Sequence, residues 1–387
     1  MKVAKAKWFN DADSPAVLLI DDLNNLWFDI NENGRPDPGE DWGYWRDLPG
    51  SSFSFLQSNL LNKFPEIKIT FFTVAGPFYW EFKYGKTYSE RINENTKILE
   101  FFRKLHRSPN FEIAYHGLTH GVRMNGKYIH EWLSFNSVEE ARRNIEEGQR
   151  ICLDVFEENL AGGKYPGYAS NIYSDESIDK AGFLWWCRRW TYDDFRKAGC
   201  DYSIFEMKTF GRNNVVDFPS TVSPSIIPRN PLIMIASLIL RRPQKYIKPH
   251  LDSLLRNRKV ISIQEHAGAI KSNGKRQTPN IIDDMPALKY IFSYLRGKNV
   301  WHATCSEIAN YYIAFTSTQM EAVDEDGFRL RYSGNVDKPW LTLAVDREEP
   351  FEVVSPSGSR YESICKNNKR LVNIEVENGS YQVRTIK

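Results

Sequence analysis

Short, mostly apolar runs closed by polar or glycine-bearing segments recur along the first three hundred residues. Residues 16–20 (AVLLI) end in two acids, Asp21 and Asp22, and residues 68–72 (KITFF), 111–115 (FEIAY) and 260–263 (VISI) have the same form. Runs this short, without strict alternation, predict strands buried on both faces, as in a parallel sheet. Helical patterns lie between them. The clearest spans 137–158, where Ser137 caps, Glu140 completes a capping box, and Ile145, Ile151 and Val155 supply the apolar stripe. Residues 284–296 and 306–315 also read as helices. Alternating strands and helices predict an α/β layered sheet or barrel, whose working groups gather at the carboxyl ends of the strands. Asp21, Asp22, His116 and His266 all fall there. After about residue 317 the texture becomes short alternating stretches, 327–332 (GFRLRY), 340–345 (WLTLAV) and 371–376 (LVNIEV), separated by turn residues. The expected organisation is therefore a catalytic domain over 1–316 and a small all-β appendage over 317–387. No fixed-period repeat is present.

The chemistry concentrates in YHGLTHG, where His116 and His120 stand four residues apart just after a strand. The Gly and Thr between them suit a tight loop rather than a helix interior. A catalytic zinc-type site takes three protein ligands and leaves a position open. Asp22 is the natural third ligand. Adjacent acids at one strand end repel unless a cation neutralises one of them, so the Asp21–Asp22 pair itself points to a metal.

The segments LLIDDL, TFFTVAG, EIAYHGLTHG, GGKYPGY and ISIQEHAG, in this order, resemble the polysaccharide deacetylases of the NodB-homology type, related to carbohydrate esterase family 4. The resemblance covers residues 16–315 and includes a closing stretch at 299–308 (NVWHATCSEI). It implies a distorted (β/α) barrel, with Asp21 as base and Asp22, His116 and His120 as ligands of a divalent metal, zinc first among the candidates. It further implies that His266 protonates the departing amine and that a backbone N–H of Gly167 or Tyr168 assists at the oxyanion. The implied activity is removal of an N-acetyl group from an amino sugar in a polysaccharide or glycan precursor. The chain departs from the pattern in three places. The base-orienting arginine corresponds to Lys164 or Tyr165, the leucine before the acid histidine is Gln264, and the acid-supporting motif has only Asp217 as a candidate. Two other readings stay open: an amidase acting on a non-sugar C–N bond, and a catalytically weak carbohydrate-binding protein. His106, His130, His250 and His302 lack acidic or histidine neighbours at strand ends and are expected in surface or core roles, and no GxSxG nucleophile motif is present.

A second metal signal lies at 29–40, DINENGRPDPGE, which fits the calcium-loop pattern D-x-[DN]-x-[DN]-G-x5-E. Asp29, Asn31, Asn33, Asp37 and Glu40 would offer side-chain oxygens and Arg35 a carbonyl, with Gly34 at the sharp turn. Two prolines and the lack of flanking helices argue for a single structural calcium loop rather than a regulatory pair.

Composition narrows the partners. Fifty-one Lys and Arg against 49 Asp and Glu give a formal charge of +2, with no basic run able to track a phosphate backbone, so nucleic acid is not expected. The aromatic share of 14% suits stacking against sugar faces, and residues 184–190 (LWWCRRW) are a candidate for this or for burial against the sheet. Five dispersed cysteines without a CxxC pair fit a reducing compartment. With no apolar h-region at the N-terminus, a cytoplasmic location is expected. The apolar run 232–240 is too short to span a bilayer, although Arg229, Arg241 and Arg242 around it would suit a peripheral membrane contact. Oligomeric state is not legible.

Overall fold

The computed structural model describes residues 2–29, 31–35, 40, 51–79, 85–199, 201–225, 244–267, 276–324 and 326–386. Seven parallel strands carry the larger unit: β1 (Ser14–Leu23), β2 (Ile69–Thr73), β3 (Phe111–Tyr115), β4 (Gly162–Lys164), β5 (Trp185–Cys187), β6 (Val215–Asp217) and β7 (Ile261–His266). Their order is β6-β5-β4-β3-β2-β1-β7, with Lys208–Phe210 added antiparallel outside β6. The stretch after β6 then turns toward the opposite end of the series. Phe218 N donates to Trp186 O at 3.0 Å, Val222 N donates to Ser262 O at 3.0 Å, and Gln264 N donates to Val222 O at 2.9 Å. Residues 215–222 thus bond to both ends of the strand series, and the α/β sheet is joined into a ring at this segment.

Burial explains the strand pattern. All ten residues of β1 are buried, and Leu18, Leu19 and Ile20 are fully so, each worth about 1.5–3 kcal/mol against exposure. Helices α1 (Thr96–His106), α2 (Val138–Phe156), α3 (Gln244–Arg256) and α4 (Ile281–Arg296) alternate with the strands. The cap of α2 differs in one bond from the expected box: Ser137 Oγ accepts from Glu140 N at 3.1 Å, but the Glu140 carboxylate reaches Asn136 N, at 2.8 Å, rather than Ser137. Trp185 and Trp186 are buried in β5, so the aromatic stretch there is core. Their rings lie over β4, where a Cβ on Gly162 or Gly163 would come within 2.4 Å of an indole or a backbone oxygen.

The chain divides into two compact units, Ala16–Lys298 with His302–Ser306, and Met1–Pro15 with Asn299–Trp301 and Glu307–Lys387. The second recruits the N-terminus, because Val3–Lys5 pairs antiparallel with Trp340–Val345. It contains two antiparallel sheets, one of four strands and one of five. Their strands alternate as the sequence pattern requires, with Phe328, Leu330, Leu341, Leu343, Phe351 and Val353 buried. Among the described residues no helix is long and apolar enough to cross a membrane. Residues 226–243, which include the apolar run, lie outside them.

Candidate metal centre

The carboxyl ends of β1, β3, β4 and β7 meet, and a bulge lets two consecutive acids serve one place. In a regular strand neighbouring side chains point to opposite faces. Between Ile20 and Leu23 the register of β1 against β2 shifts, and Asp22 takes a left-handed conformation, φ 69°. Such an irregularity re-aims a side chain. Asp21 stays in register opposite His266 of β7, and Asp22 turns toward the loop after β3.

That loop carries His116 and His120. Their Nε2 atoms lie 3.3 and 3.2 Å from Asp22 Oδ1, and all three side chains are almost wholly buried. His116 Nδ1 stands 3.0 Å from the carbonyl oxygen of Lys164, which can only accept, so Nδ1 carries the proton and Nε2 presents a lone pair. His120 Nδ1 meets Tyr128 Oη at 2.7 Å, and Phe78 stacks on the His120 ring at 4.5 Å. Asp22 Oδ1 is buried without a hydrogen-bond partner. Burial alone would raise the Asp22 carboxyl, but the His120 charge and the contacts to both imidazoles hold it well below the usual carboxylate range. Burial lowers His120 in turn, against the opposing pull of the Asp22 charge. An orphaned carboxylate oxygen facing two imidazoles is a donor set that fits a divalent cation, and among the described residues it is the one such group.

The loop is held from two sides. Gly76 N donates to Leu118 O at 2.7 Å and Tyr79 N to Thr119 O at 2.9 Å. On the other side the Glu131 carboxylate, fully buried, accepts from Leu118 N at 3.0 Å and Thr119 N at 2.8 Å, and Glu131 N donates to His120 O at 3.1 Å. Gly117 at φ 106° passes so close that a Cβ there would lie 2.6 Å from Glu131 Oε2, and His120 itself sits at φ 64°. A strained turn persists only when its surroundings over-determine it, and Glu131 supplies much of that constraint. Nothing in the sequence joins Glu131 to this loop, because it arrives one hairpin later, after Gly121–Met124 and Lys127–His130. His130, expected in a surface or core role, has its ring 5.7 Å from that of His120, and burial together with the neighbouring imidazoles pushes it down to about 4.

On the opposite side stands Asp21. Lys164 Nζ lies 2.6 Å from Asp21 Oδ1, both groups buried, and burial of the ammonium is outweighed by the Asp21 charge, which keeps Lys164 above its ordinary value. Lys164 rather than Tyr165 therefore touches Asp21, since the Tyr165 hydroxyl is bonded to Asp175 at 2.9 Å. His266 Nε2 lies 3.8 Å from Asp21 Oδ2 and 4.0 Å from Asp22 Oδ2. Its Nδ1 donates to Pro279 O at 2.8 Å, and the Gln277 amide is 2.8 Å from Nε2. Asp217 does not support His266: it lies 3.2 Å from Arg188, which also pairs with Asp175. Gly167 and Tyr168 form a left-handed turn after β4, φ 59° and 54°, in which Tyr168 N donates to Tyr165 O at 2.9 Å. Of the two candidate oxyanion donors the Tyr168 N–H is thus already used within the turn.

In the calcium-type loop Asp29 is buried and accepts from Asn33 N at 2.9 Å and Gly34 N at 2.8 Å. Asn31 accepts from Asn33 N at 3.1 Å and Asn33 from Arg35 N at 3.0 Å. Glu40 is buried and its carbonyl receives Phe28 N at 3.0 Å. Asp37 lies outside the described residues.

No family profile and no curated protein matches the sequence. Solved structures do match. The Puue allantoinase is similar at 16% identity and TM-score 0.47, covering 80% of this chain and 94% of its own. A putative polysaccharide deacetylase from Mycobacterium smegmatis is similar at 14% and 0.46, covering 81% and 94%. A family 4 carbohydrate esterase from Streptomyces lividans, in complex with acetate, is similar at 10% and 0.35, covering 76% and 93%.

Proposed function

We propose that this protein is a divalent-metal-dependent hydrolase that removes an N-acetyl group from an amino sugar in a polysaccharide or glycan precursor. The observation that carries the proposal is the convergence of Asp22 Oδ1, His116 Nε2 and His120 Nε2 on one buried point, with Asp21 and His266 beside it. Two nitrogens and one carboxylate favour zinc. When bound, the ion supplies Lewis-acid polarisation and an acidified water.

The chain's own groups do the rest. Asp21, held by Lys164, accepts the proton of the attacking water. His266, its Nδ1 fixed on Pro279 O, takes up a proton at Nε2 in place of the contact with the Gln277 amide and returns it to the leaving nitrogen. The Gly167 N–H, at the edge of the left-handed turn, is the proposed oxyanion donor. The choice of a sugar as substrate rests on the sequence motifs. We further infer that the 29–40 loop takes a calcium ion, supported by the way Asp29, Asn31 and Asn33 already fold the backbone around themselves.

The test is acetate release from N-acetylated chito-oligosaccharide by protein reconstituted with zinc. Turnover that vanishes in His116→Ala supports the reading. Equal acetate release by parent and variant sinks it, and hydrolysis of simple amides without any of acetylated sugars moves the protein to the amidase class.

A further inference from the structure

Lys164 is an ammonium buried completely, and one carboxylate oxygen does not satisfy it. Its second acceptor is Gln264 Oε1, and its remaining side faces the rings of Phe72, at 4.2 Å to the centroid, and Tyr168, at 4.9 Å. Gln264 Oε1 also accepts from Tyr168 Oη at 2.7 Å, while Gln264 Nε2 donates to Glu265 O at 3.0 Å. The amide is thereby locked in one orientation: two donors fix its oxygen and a backbone carbonyl fixes its nitrogen. Gln264 shares β7 with His266, and Lys164 passes its own carbonyl to His116. One side chain thus stands where the base, the turn after β4 and the histidine strand meet. Its side-chain oxygen bonds to Lys164 and Tyr168, so its influence on Asp21 runs through Lys164.

We propose that Gln264 is a positioning residue: by accepting from Lys164 and Tyr168 together, it commits the Lys164 ammonium to Asp21 and so fixes the carboxylate that takes the proton. Two of the three departures from the deacetylase pattern, Lys164 and Gln264, are then partners. A lysine, offering three rotatable donors, needs the extra acceptor that an apolar residue at 264 would not supply. This inference rests on the proposed function for its catalytic part, and its structural part stands without it.

The experiment combines a kinetic cycle with a spectroscopic readout on the full-length, zinc-loaded protein. Gln264→Met keeps the length of the side chain and removes the acceptor. It is expected to lower kcat roughly tenfold or more with KM and zinc content unchanged. In a Lys164→Met background the same change is expected to do nothing further. With lysine-selective 15N labelling, the Lys164 ammonium signal, shielded from exchange in the parent, is expected to exchange at least about tenfold faster in Gln264→Met. Gln264→Asn, one methylene shorter, carries the same expectations should Gln264→Met fail to fold. Unchanged kcat and exchange, or an equal loss of kcat in both backgrounds, overturns the proposal. If the parent releases no acetate but the exchange shift appears, the clamp stands and the deacetylase reading falls.

Discussion

The two halves of the site are built by different means. The proposed metal half, Asp22, His116 and His120, is held mainly by backbone: a bulge in β1, a left-handed loop after β3, and the amides that loop donates to Glu131. The proposed base half is held by side chains from different strands: Lys164 of β4 reaches Asp21 of β1, and Gln264 of β7 in turn holds Lys164. Backbone constraint tolerates little change in the loop but makes the ligands close neighbours in sequence. Side-chain constraint lets residue types vary in concert, provided the acceptor count around a buried cation is kept.

The largest expected effect separates the halves outright. His116→Ala is expected to abolish both zinc retention and acetate release. Asp21→Asn should keep zinc at one equivalent and lose roughly 10²–10⁴-fold in kcat, the range for a displaced general base. Metal analysis alongside turnover reads both. An Asp21→Asn protein that drops its zinc would mean that the two halves are one structural unit and that the division drawn here is false.

A smaller effect probes what holds the metal half. In Glu131→Gln one carboxylate oxygen becomes an amide donor facing backbone N–H groups that already donate. The loop should relax from its strained turn and zinc affinity should fall by about 10–100-fold, as for other groups that orient ligands from behind. Circular dichroism of the metal-free variant should stay close to the parent. Parent-like affinity in a competition assay would show that Gly76 and Tyr79 alone hold the loop.

This contrast also explains what could be read from the sequence. Four of the seven strands, β1, β2, β3 and β7, were visible to within a few residues because their apolar runs are long, and the Asp22, His116 and His120 group was visible because HGLTH and IDD are local signals. β4, β5 and β6 were not foreseen as strands: Trp185 and Trp186 resembled a surface groove as much as core, and only the two glycines of β4 beneath them decide it. Glu131 was missed because its partners are amides, which leave no trace in side-chain identity. The Lys164–Gln264 pair looked like two separate departures because the residues lie 100 apart in sequence. Asp217 was the candidate support for His266 from the motif order alone, but Arg188, just after the neighbouring strand, offers it an opposite charge at 3.2 Å. The C-terminal unit showed its strands plainly, yet its recruitment of Val3–Lys5 is a pairing across almost the whole chain that no local pattern encodes.

The 29–40 loop sharpens the comparison at its small end, because there every proposed donor is local in sequence. Asp29 caps the amides of Asn33 and Gly34, and these bonds favour the turn in their own right. Binding should therefore add only its own linkage free energy, about 1.4 kcal/mol at a tenfold excess over Kd, seen as a melting shift of a few degrees. Asp29→Ala should remove that shift and also lower the melting temperature in chelator, since it strips two backbone amides of their acceptor. If parent and Asp29→Ala respond identically to calcium, the loop is a capped turn and nothing more, and legible spacing alone does not make a metal site.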